Sequence, residues 1–173
     1  MKILYLLFGL IILYIPAFSQ KKWEAISISW PAEYHWKEVK HEQQGNLYIS
    51  MIIPGSEEPA TASIIGSLSV YHGNSYPSLD EMEKDYRSRM DTGTTMTVVE
   101  RHPNGKHFWT LFKVETPVIN KYPEPESDLY YVIQGDYGVY ENYVGIRKPA
   151  LSDDFVQKWS EIFKSAELKM LTK

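Results

Sequence analysis

The chain has 173 residues, 18 Lys and Arg against 22 Asp and Glu, and no cysteine. A net charge of −4 without any basic block leaves nothing for the counter-ion release that drives nucleic-acid binding, or for attraction to an anionic membrane surface. The lack of cysteine excludes thiol catalysis, disulfide staples and the lipid attachment that bacterial lipoprotein processing requires. The chain opens on MKILYLLFGLIILYIPAFSQ. Lys2, the apolar run Ile3 to Ile15, and Ala17 and Ser19 at small-residue positions predict a signal peptide, residues 1–19, cut before Gln20. The run falls short of the roughly 20 apolar residues a spanning helix needs, so no stable membrane insertion is expected after cleavage. Residues 20–173 are expected to form one domain, large enough to bury a core without staples. A secreted or periplasmic, non-lipoprotein product of a bacterium fits this composition best.

Ile26, Ile28 and Trp30 alternate as a strand. NLYISMII (46–53) is a denser apolar run, expected to be a strand buried on both faces, and PGSEEP (54–59) a turn-rich connection. TASIIGSLSVYHG (61–73) resumes the extended pattern. From Ser78 the period changes. Ser78 and Glu81 have capping-box spacing, and Leu79, Met82, Tyr86 and Met90 fall on one helical stripe, closed by Gly93. TMTVVERH (95–102) and KHFWTLFKVE (106–115) read as a hairpin, as do DLYYVIQGDY (128–137) and VYENYVGIR (139–147). A last helix begins after Ser152 and buries Phe155, Trp159, Ile162, Phe163 and Ala166. Strands, helix, antiparallel hairpins and helix give an α+β fold in which helices cover an antiparallel sheet.

Asn104-Gly105 predicts a two-residue type I′ turn, which would set His102 beside His107 with Glu100 two residues along. Imidazole and carboxylate are the donors zinc takes, so these three are the candidate metal ligands. Two histidines fall short of a normal zinc set, and Arg101 and Lys106 would repel a cation. The pair is therefore expected at a solvent-facing tip without a resting metal. No catalytic residue is assigned and no cofactor is expected. There is no G-x-S-x-G elbow, phosphate loop or dinucleotide fingerprint, and His35, His41 and His72 are scattered. Exposed aromatics could anchor a protein partner. The candidates are Tyr34, Trp36 and Tyr122, the last in the loop PVINKYPEPES (117–127).

ISISWPAEYHW (26–36), YPSLDEM (76–82) and VYENYVGIRKPALSDDFVQKWSEIFKSAEL (139–168) give the chain an order and spacing that resembles the PsbP-like group. That group includes an extrinsic photosystem subunit, exported bacterial relatives and a Ran-binding nuclear-import adaptor. The resemblance implies an α-β-α sandwich that binds proteins or small ligands, and it carries over no catalytic residue. The function expected is an exported, non-enzymatic binding or accessory protein with a protein partner in the cell envelope. The alternatives are a hydrolase or metal-assisted enzyme with an unrecognised site, and a carrier of a small ligand. The mature chain is expected to begin at Gln20. Intact-mass measurement of the native protein checks this, and residues 3–18 still attached would contradict it.

Overall fold

Nine strands and two α-helices alternate in the computed structural model, which describes residues 23–117 and 124–171. Residues 1–19, expected to be a signal peptide, and Tyr122 lie outside the described residues. The strands are β1 (Trp23–Ser27), β2 (Lys37–Gln44), β3 (Leu47–Ile53), β4 (Ile65–His72), β5 (Thr95–His102), β6 (Trp109–Thr116), β7 (Glu126–Gln134), β8 (Gly138–Ile146) and β9 (Glu167–Leu171). The helices are α1 (Leu79–Ser88) and α2 (Asp153–Lys164). Seven strands form one antiparallel sheet in the order β2-β3-β4-β8-β7-β6-β5, and β1 pairs with β9 as a separate ribbon.

Both helices start where the caps predict. Ser78 Oγ accepts from Glu81 N at 3.2 Å and Ser152 Oγ from Phe155 N at 3.3 Å. Each helix seats an apolar stripe on a different face of the sheet. Leu79, Met82 and Tyr86 of α1 meet Phe112, Val114 and Val132. Trp159 and Phe163 of α2 meet Leu129, Tyr131 and Val144. On that second face Trp30 lies over Gly66, where a Cβ would come within 2.7 Å of the indole ring. α1 is fixed further by a polar clamp. Glu83 accepts from Arg101 Nε at 2.9 Å and from Thr110 Oγ1 at 3.0 Å.

Helices do not cover this sheet, which corrects the α+β, α-β-α expectation. Strand accounts for 46% of the structure and helix for 18%. The reason is dimensional. Seven strands spaced by about 4.8 Å make a sheet roughly 30 Å wide, and a helix with its side chains is about 10 Å across. One helix per face therefore leaves most of each face to other groups. On the α2 side the gap is filled by Trp30, Tyr34, Trp36 and the β1–β9 ribbon, through Ile26 and Leu168. On the α1 side the described residues leave part of the sheet open. Two strands also escaped the period-two reading. WKEVKHEQQ supplies the edge strand β2, whose alternation is broken by a bulge between Glu38 and Lys40. α2 has the expected bounds, Asp153–Lys164, and β9 follows it after two residues.

Trp159 is fully buried, touching Trp30, Tyr34, Trp36, Phe155 and Phe163 with ring centroids 5.8–6.3 Å apart. Trp159→Ala is expected to cost about 3–5 kcal/mol. Urea denaturation checks this, and a loss under about 1 kcal/mol would place the indole outside the core.

Candidate functional site

The open part of the α1 face is built by the two central strands. β7 sends Glu126, Asp128 and Tyr130 to this face, and β8 sends Glu141, Tyr143 and Gly145. Tyr130 is paired with Tyr143, Asp128 with Gly145, and Val132 with Glu141. Asp128 and Glu141 thus stand four residues apart along the strands, roughly 13 Å by strand rise, with Tyr130 between them. Tyr86 at the end of α1 packs its ring 5.2 Å from Phe112 and donates its hydroxyl to Glu141. Phe112 in turn stacks on Tyr130 at 5.1 Å. Tyr71 closes the wall from β4. The result is a concavity of about 380 Å3 whose lining includes Tyr71, Tyr86, Tyr130 and Arg89 and the acidic residues Asp91, Glu126, Asp128 and Glu141.

Its electrostatics are unusual for a sheet surface. Asp128 is 8% exposed, and its Oδ1 is sealed over Gly145 without a hydrogen-bond partner. Gly145 is required there, since a Cβ would collide with that oxygen. Burial, reinforced by the charge of Glu126, pushes the Asp128 carboxyl up to about 8. Burial also raises Glu141, opposed by the Tyr86 hydroxyl and by Arg89. Tyr71, Tyr130 and Tyr143 are all raised by desolvation first. Arg89, the basic residue of the basin, is already engaged. It pairs with Asp85 and donates to Tyr76 Oη at 3.2 Å. Asp85 is lowered chiefly by the Tyr76 hydroxyl, and Tyr76 is pushed up to about 12 by burial and by that carboxylate.

The predicted metal candidates are not brought together. Asn104 and Gly105 lie inside a six-residue loop, not a two-residue turn; Gly105 has φ +119°, and Asn104 is not in the left-handed region a type I′ turn demands. His102 therefore pairs with Trp109 and stacks on its ring at 5.4 Å. Glu100 Oε2 is held by Lys164 Nζ at 2.9 Å. His107 turns instead toward the β7–β8 turn, with Nδ1 3.1 Å from the Gln134 carbonyl and 4.0 Å from Asp136. There Glu24, His107 and Asp136 hold potential donor atoms within 4.8 Å of one another, the set among the described residues that could hold a metal ion. Lys106 is paired with Asp136, so a cationic side chain already answers part of that negative charge. Glu24 rests on Gly135, where a Cβ would strike its carboxylate, and accepts from Tyr137 N at 3.3 Å.

Of the partner-binding candidates, Tyr34 and Trp36 pack against the core cluster, 4.8 Å from each other, and Trp36 Nε1 donates to Pro31 O at 2.9 Å. Tyr122 lies outside the described residues. The basin escaped the sequence reading because DLYYVIQ and VYENYVG read as dense core strands. A signal was nevertheless present: Glu141 interrupts a run of β-formers, where a carboxylate is disfavoured unless something requires it.

No family model matches the chain, and no curated protein matches it.

Asp128 generates a pH prediction. Its folded-state pKa lies above the ordinary 3.8, so the folded state holds the proton more tightly than the unfolded chain does. The stability contributed by that proton is complete below about pH 4 and is lost as pH rises toward 8. Asp128→Asn does not titrate. Its stability relative to wild type is expected to grow between pH 4 and 8 by up to about 1.4 kcal/mol per pH unit, then level off. Paired urea denaturations across this range check it, and a constant difference would show that Asp128 ionises normally.

Proposed function

We propose that this chain is an exported, non-enzymatic binding protein whose site is the tyrosine-walled basin on the open α1 face, and that it takes a small ligand there. One observation carries the reading: Asp128 is a buried carboxyl that lines an open cavity, and burial with no cation beside it pushes it up to about 8. A buried polar group without a partner costs free energy. A cation brought by a ligand would offset the cost of ionising this carboxyl. The cavity, about 380 Å3, falls at the lower end of the range used for small molecules.

A small ligand fits better than a protein docked on exposed aromatics. Tyr34 and Trp36 are engaged in the core cluster, and the basin is concave, not flat. Neither a thiol nor a serine elbow is present in the sequence to act with the basin carboxyls. The signal-like start supports export into the envelope.

The test is a thermal-shift comparison using the dialysable fraction of the native envelope. At a ligand concentration of about 100 Kd the gain is about 2.7 kcal/mol, or roughly 5–10 °C in Tm for a chain of this size. Wild type is expected to show that shift, and the Asp128→Leu/Glu141→Leu double variant none. Equal shifts in both would put the site elsewhere, and consumption of a component of the fraction would make the protein an enzyme.

A further inference from the structure

The charge and shape of the basin define a ligand class, an inference that rests on the basin being the binding site. Asp91, Glu126, Asp128 and Glu141 line it against one basic residue, Arg89, which is tied to Asp85 and Tyr76. An anion would meet net repulsion. A neutral hydroxyl could hydrogen-bond the protonated Asp128 carboxyl but would leave the acidic lining without a counter-charge. A small inorganic cation needs several oxygens converging at 2–2.6 Å. Asp128 and Glu141 do not converge, because each is paired across the β7–β8 ladder at a position four residues from the other. Roughly 13 Å of strand separates them at the backbone, and the ring of Tyr130 occupies the interval. Tyrosine faces attract ammonium groups and accept methylene chains.

We propose that the basin binds a linear aliphatic di- or polyamine, one ammonium group at Asp128, another at Glu141, and the methylene chain between them over Tyr130. Each end then finds a different carboxylate, and the Tyr86 hydroxyl, which already donates to Glu141, keeps that carboxylate turned into the basin. Binding also displaces the proton that burial keeps on Asp128, so the ligand exchanges one positive charge for another at that carboxyl. Affinity is therefore coupled to pH. It falls as pH drops below the range in which Asp128 can ionise, with Glu126, Tyr130 and Tyr143 as the titratable neighbours acting on it.

Isothermal titration of the mature protein tests this with spermidine, 1,4-diaminobutane, n-butylamine and 1,4-butanediol, each in two buffers of different ionisation enthalpy. The diamine and spermidine are expected to bind at least about tenfold more tightly than the monoamine, and the diol not at all. The heat should differ between buffers, reporting proton release. Asp128→Asn and Glu141→Gln are each expected to weaken spermidine binding about tenfold, the equivalent of about 1.4 kcal/mol. Circular dichroism shows whether the variants are folded, and Tyr130→Leu provides a third variant that leaves both carboxyls in place while removing the ring between them. Diol binding equal to diamine, or spermidine binding unchanged in both carboxyl variants, would overturn the proposal. If the envelope fraction stabilises wild type through the basin while no amine binds, the amine class is wrong and the site stands. If neither binds there, both readings fall.

Discussion

Alternation along β7 and β8 places opposite demands on the two faces of one ladder. Leu129, Tyr131 and Ile133 point with Tyr140 and Val144 into the core under α2, and every residue between them must face the other way. A register slip of one residue would exchange the two sets and bury Glu141 and Asp128 beneath Trp159. That cost pins the ladder. With it come the position of the basin, Tyr130 in its lining and the glycine under Asp128. The apolar side of the ladder thus stabilises the arrangement that its polar side requires.

The polar side is stable only because α1 is short and placed to one edge. Its apolar stripe needs Phe112 and Val132, and the Arg101–Glu83–Thr110 clamp holds it over β5 and β6. Beyond the end of α1 the described residues leave a concavity over Tyr130 and Glu141. Tyr86 links the two regions. Its ring belongs to the helix core and its hydroxyl to the basin, so helix packing and the orientation of Glu141 are coupled. Burial without full pairing then gives Asp128 and Glu141 their raised affinity for protons, which marks the basin off from the ion-paired surface around it.

The hairpin at Asn104-Gly105 shows where local chemistry stops being sufficient. The dipeptide favours a tight turn in isolation, and that register would have paired His102 with His107. In the folded chain Trp109 must stack on His102 and approach Tyr131, 5.6 Å away, and His107 is drawn to the Gln134 carbonyl. Those contacts belong to strands far apart in sequence. They open the turn into a loop and move His107 next to Glu24 and Asp136, residues with which no spacing rule associates it.

The sequence by itself determined the elements whose signals are local. The capped starts of both helices, the apolar stripes that bury Met82 and Trp159, and the central strands were legible because caps and periodicity act within a few residues. Tertiary structure alone decided which strands adjoin, how far each helix covers the sheet, and which polar residues share a face. Asp128 and Glu141 are 13 residues apart and carry no motif. They line one cavity because a ladder pairs their strands and a short helix stops before reaching them, and both are long-range outcomes of where the apolar surface finds its best burial.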